Sequence, residues 1–146
     1  MTNRELLELA AKAAGVAVHH WSHVDCPDCP DAVPILTDGI NTEIVVWNPL
    51  LDDGDALRLA VALNIEYVFQ SICIVVAKVS RIGGSIFDKK HSATVDYVPE
   101  EMFASSYGSD ISHANYLVST GMIRGKAPAV RLAIVRAAAE VGRAMK

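Results

Sequence analysis

Ile65-Glu66-Tyr67-Val68-Phe69-Gln70-Ser71-Ile72-Cys73-Ile74-Val75-Val76-Ala77-Lys78-Val79 is the stretch on which the fold turns. Its β-branched and aromatic density suits a pleated, buried surface, and predicts one strand or two. Just upstream, Asn48-Pro49-Leu50-Leu51-Asp52-Asp53-Gly54-Asp55 is an acid-rich turn leading into a helix through about Leu63. Asp52 or Asp53 can cap that helix, the early acids suit its positive end, and Ala56, Leu57, Ala60, Val61 and Leu63 give it an apolar face. Downstream, Arg81-Ile82-Gly83-Gly84-Ser85 reads as a turn and Ser85–Val98 as a further strand region.

Working outward, residues 3–14 are strong helix formers with Leu6, Leu9, Ala10 and Ala13 at helical spacing. Thr2 with Glu5 matches a capping box, and Gly15 stands where a left-handed terminal cap belongs. Val16–Val24 suits a short strand. Cys26-Pro27-Asp28-Cys29-Pro30-Asp31 then interrupts regular structure, because two prolines remove backbone donors. Ala32–Thr37 and Thr42–Trp47 flank Asp38-Gly39, a favoured hairpin dipeptide, so an antiparallel pair is expected. Pro99–Ser112 and Gly121–Pro128 read as loops, and Pro128 opens a last helix to about Arg143. Helix, strands, helix, strands, helix is an α+β order: an antiparallel sheet packed with helices, an α/β/α-type sandwich, in a single domain spanning 1–146.

The 146 residues are 51% hydrophobic and 21% charged, the balance of a compact globular chain. Thirteen Lys+Arg against seventeen Asp+Glu leave a formal charge of −4. That argues against coating duplex DNA or an anionic membrane, which takes broad cationic surfaces, but permits a local phosphate pocket. The longest uncharged apolar stretch, Tyr67–Ala77, falls short of the ~20 residues a span needs. Acids inside the first apolar pattern are foreign to a signal peptide, and three cysteines point to a reducing cytoplasm.

Several clusters invite chemistry. His19, His20, His23, Cys26 and Cys29 are all of zinc-ligand type, but a Cys-x-x-Cys knuckle wants a second pair from a separate element. A polar loop with reduced thiols is the expectation, without metal and without the helix N-terminus a redox pair needs. Cys73 reads as a core thiol. Asp52, Asp53 and Asp55 could hold a cation, but capping accounts for them and no calcium-loop pattern follows. Phosphate-loop, nucleophile-elbow and zinc-helix motifs are absent from the sequence, so no enzyme activity and no cofactor are expected. The basic residues are more telling: Arg131 and Arg136 on the last helix, with Arg124 and Lys126 just before it. Arginine clamps phosphate bidentately, whereas a solvated helix face is the plainer explanation. Trp47, Phe87 and Tyr97 are candidate stacking platforms, although such rings are more often core.

Three blocks carry a resemblance: Asn3–Ala11, Trp47-Asn48-Pro49-Leu50 through Ala60, and Ala127-Pro128 through Ala138. Together they resemble the small phage and prophage proteins of the "phage ABA sandwich" type, and within it a Thoeris anti-defence branch. Members of that branch sequester cyclic ADP-ribose-type signals, and some cyclic oligonucleotides, as oligomers with pockets at subunit interfaces. The resemblance implies a homo-oligomeric, phage-encoded sponge in the bacterial cytoplasm. Its partner would be a small nucleotide messenger, with Arg136 as phosphate clamp. The candidate ligand-binding set is Arg136, Arg131, Arg124, Lys126, Trp47 and Phe87. The alternative is a protein–protein interaction module, for example an inhibitor docking on a host enzyme. A zinc-dependent hydrolase built on residues 19–29 is a third, lesser reading.

Overall fold

A computed structural model describes residues 1–22, 33–36, 45–79 and 91–145. The 65–79 stretch folds as a hairpin, β4 (Ile65–Ser71) and β5 (Ile74–Val79), with register Ile65↔Val79 through Phe69↔Val75 and an irregularity between Phe69 and Ser71. β6 (Ser92–Val98) pairs antiparallel with β5, Val75 opposite Val95. β7 (Ile123–Arg124) joins β6 in parallel, giving the order β4-β5-β6-β7. Strand alternation puts Ile65, Tyr67 and Phe69 on one face with Val75, Ala77, Val95 and Tyr97. A second sheet of three short antiparallel strands comprises β1 (His20–Ser22), β2 (Val33–Leu36) and β3 (Val45–Val46). The pairing of β2 with β3 is the one expected around Asp38-Gly39, although that dipeptide lies outside the described residues.

Helix α5 (Lys126–Ala144) lies between the larger sheet and helix α1 (Asn3–Ala14), touching both, with α2 (Asp53–Ala62) alongside. Alanine makes this possible: Ala129, Ala133, Ala137, Ala138 and Ala139 are fully buried, and such short side chains let neighbouring backbones come close. The limit is Gly142, where a Cβ would stand 2.0 Å from the Leu9 carbonyl oxygen. Helix α1 is capped as its sequence predicts. Thr2 Oγ1 accepts from Glu5 N–H at 3.2 Å, Glu5 Oε2 accepts from Thr2 N–H at 2.6 Å, and Gly15 takes φ 67°. Its buried stripe is Leu6, Leu7, Ala10 and Ala11, turned slightly from the expected Leu6, Leu9, Ala10, Ala13 so that it meets α5.

The fold is therefore α+β, with helices packed on a mostly antiparallel sheet. Two segments depart from expectation. Helices α3 (Glu100–Phe103) and α4 (Gly108–Ser119) occupy much of the expected 99–112 loop and the chain beyond it, and β7 lies inside the expected 121–128 loop. Helix α4 buries only Ala114, so its Gly-, Ser- and Asn-containing sequence offers neither strong propensity nor a broad apolar stripe. Among the described residues, no helix is long and apolar enough to cross a membrane.

Candidate ligand-binding site

The acid-rich turn before α2 is a hydrogen-bonded unit. Asp52 caps the helix, its Oδ1 accepting from Asp55 N–H at 2.7 Å. The Asp55 carboxylate, 6% exposed, accepts from the Asn48 backbone N–H and from Arg58, each at 2.7 Å. That hydrogen bond and the Asp55 charge hold the Arg58 guanidinium above its ordinary pKa. Asn48 Oδ1 in turn accepts from Leu50 N–H at 3.3 Å. The turn is fastened to α5 by Arg131, whose Nε donates to the Leu50 carbonyl at 2.9 Å and whose Nη1 pairs with Asp53 at 2.5 Å. All three carboxylates thus have structural partners: Asp52 caps the helix as the sequence suggested, whereas Asp53 ties the turn to α5 and Asp55 holds Asn48 and Arg58.

Fastening the turn this way opens a cleft of about 470 Å³ between α2, β4 and the first turns of α5. Tyr67 and Phe69 form its aromatic wall, Ala56, Leu57, Val130 and Ile134 its apolar lining, and Lys126 and the Arg131–Asp53 pair its charged groups. A pocket of this size lies within the roughly 300–1,000 Å³ usual for small ligands. The Arg131 side chain is only 14% exposed and both its hydrogen bonds are internal, so its position is fixed in advance of any ligand. Lys126 differs: its Nζ lies 4.1 Å from the centroid of the Phe69 ring, in cation–π range, and no carboxylate pairs with it among the described residues. Tyr67 meets Phe69 edge-on, centroids 6.2 Å apart, and retains 47% exposure, so part of its ring stays open to solvent.

A second cleft, of about 640 Å³, adjoins the first across Phe69 and Lys126, which line both. Tyr97, Glu100, Glu101 and Met102 are among its other lining residues. Tyr97 stands edge-on to Phe69, centroids 6.3 Å apart. Burial, reinforced by the neighbouring Cys73 and Glu101, pushes its phenol above the ordinary pKa.

Of the residues that the sequence singled out, Lys126 and Arg131 meet in the smaller cleft. Arg124 does not: its guanidinium stacks 4.1 Å from the Phe103 centroid and pairs with Glu100 at 3.3 Å. Trp47 is packed in the core at 6% exposure, closed to a stacking base. Arg136 is exposed and projects from α5 about 120–180° away from the cleft-lining positions 127, 130, 131 and 134, so it lines neither cleft. Phe87 lies outside the described residues, as do His23, Cys26 and Cys29 of the zinc-type cluster. Among the described residues, no group of three or more His, Cys, Asp or Glu could hold a metal. Tyr67, Phe69 and Glu101 were not singled out. Tyr67 and Phe69 share a strand face by their spacing of two, a signal available in the sequence, whereas Glu101 became visible only with α3. In comparisons with known proteins, no family model, no curated protein and no solved structure matches this chain.

Proposed function

We propose that this protein is a non-enzymatic binder that sequesters a small nucleotide signal without cleaving it. The observation that carries the reading is the meeting of Lys126 and Arg131 with Tyr67 and Phe69 in one preformed cleft. Aromatic rings stack any base through their π-faces, while an ammonium and a guanidinium answer phosphate charge. A nucleotide needs both at once. Arg131 supplies a fixed guanidinium that shares its charge with Asp53, and Lys126, with no carboxylate partner among the described residues, is free to turn from the Phe69 ring toward an anion. The resemblance of the Trp47–Ala60 and Ala127–Ala138 blocks narrows the ligand to cyclic ADP-ribose-type or cyclic oligonucleotide immune signals. It also suggests a phage anti-defence protein acting as a homo-oligomer in the bacterial cytoplasm. In this reading the phosphate clamp falls to Lys126 and Arg131 rather than to the more distant Arg136.

One observation favours a second reading, a docking module on a protein partner. Leu57, Val61 and Tyr67 are 60%, 74% and 47% exposed on α2 and the outermost strand β4, an apolar strip that runs from the cleft along α2. The test is incubation of purified protein with lysates containing active TIR enzymes or immune cyclases, heat release, and mass spectrometry of the supernatant. Release of an intact nucleotide supports sequestration. Release of cleaved nucleotide, or capture of none, overturns it and favours docking.

A further inference from the structure

We propose that the larger cleft is a second binding site, for a small zwitterion of the α-amino-acid type with an apolar or aromatic side chain, held between the Lys126 ammonium and the Glu101 carboxylate. The proposal stands apart from the nucleotide reading and survives its failure.

The cleft contains one cation and two carboxylates, and their partners differ. Glu100 is taken: its Oε2 accepts from Arg124, with Nη2 at 3.3 Å, and its Oε1 lies 3.0 Å from where a Cβ on Gly125 would stand. Glu101 has neither an ion pair nor a hydrogen bond among the described residues, and Lys126 has no carboxylate within 4.0 Å. A carboxylate and an ammonium without ion-pair partners among the described residues therefore line one cavity without meeting each other. The rings of Phe69 and Tyr97 and the thioether of Met102 line the same cleft and give it a largely apolar floor. Glu101 lines this cleft together with Tyr97. The complementary molecule carries a cation for Glu101, an anion for Lys126 and an apolar body for the floor. A singly charged ligand leaves one of the two groups unanswered as it loses water, and desolvating a charge without a partner is unfavourable. Because Lys126 lines both clefts, a zwitterion that draws its ammonium off the Phe69 ring also alters the cation presented to the smaller cleft.

The test is calorimetric titration of the full chain with L-phenylalanine, L-leucine, N-acetyl-phenylalanine and phenylalanine amide, up to about 10 mM, a concentration that reveals millimolar affinity. The expected result is binding of both free amino acids, with the two blocked phenylalanines at least tenfold weaker. Glu101→Gln, at an exposed position, is expected to weaken the free amino acid about tenfold while leaving N-acetyl-phenylalanine unchanged. Lys126→Met is expected to do the reverse, sparing the amide. Absence of binding by either free amino acid overturns the proposal. So does equal binding by the blocked forms, or equal sensitivity of all ligands to Glu101→Gln.

Discussion

Substituting Gly142→Ala tests the close approach of α1 and α5. The added Cβ would lie 2.0, 2.8 and 3.2 Å from the carbonyl oxygen, carbonyl carbon and Cα of Leu9. Carbon atoms attract best at roughly 3.5–4.0 Å, so every one of these contacts is repulsive. All three are backbone atoms, and no rotamer change relieves them. Helix α1 must move off α5, by about 1.5 Å, to restore ordinary contact. That movement loosens the seam in which Leu6, Leu7, Ala10 and Ala11 pack against α5. Overpacking of this kind costs about 1–3 kcal/mol, and a backbone clash belongs at the upper end. The better helix propensity of alanine offsets about 1 kcal/mol, leaving a net loss of about 2 kcal/mol. For a domain of this length the loss lowers Tm by roughly 5–8 °C. Gly108→Ala is the control, since nothing lies within 4 Å of a Cβ there and its φ is not positive; it should leave Tm unchanged or raise it slightly. Scanning calorimetry of both variants decides. If Gly142→Ala melts with the parent protein, the α1–α5 approach is wrong.

Arg131→Ala removes the tie from α5 to the Leu50 carbonyl and to Asp53, and should cost about 1–3 kcal/mol in urea denaturation; an unchanged midpoint would contradict the tether. Glu5 has its pKa lowered by hydrogen bonding to Thr2, so its stabilising effect is present above the ordinary carboxyl value and is lost as pH falls through the lower folded one. Comparing the acid melting of the parent with Glu5→Gln checks this, because the variant should lack that component. Arg136→Ala should change stability by no more than about 0.5 kcal/mol and leave nucleotide capture intact, whereas lost capture would return the phosphate clamp to Arg136.

What the sequence made legible was local. Thr2, Glu5 and Gly15 announce the ends of α1 through side-chain and backbone chemistry that acts within one turn, and Asp52 does the same for α2. The 65–79 hairpin follows from residue type alone. Helix α4 was hidden because its propensity is poor and only Ala114 reaches the interior. The candidate site was half visible. Lys126 and Arg131 were recognisable as cations near a helix start, yet nothing local distinguishes Arg131 from Arg136. Five positions separate them by about 140° around the helix, and only the packing of α2 and β4 decides which one lines the cleft. Trp47 shows the opposite case: residue type alone made it a candidate stacking platform, and the structure packs its ring in the core, beside a turn held by the Asp55 bond to Asn48 N–H.

Calorimetric titration of the parent protein and of Lys126→Ala, each with cyclic ADP-ribose and with cyclic dinucleotides, bears most directly on nucleotide capture in the smaller cleft. A charge-assisted contact of about 1.5–3 kcal/mol corresponds to a loss of roughly 10–150-fold. The predicted result is binding of at least one of these nucleotides by the parent, weakened by that factor in Lys126→Ala while Tm stays within a few degrees. Binding that Lys126→Ala leaves unchanged, or a parent protein that binds none of these nucleotides, would contradict it.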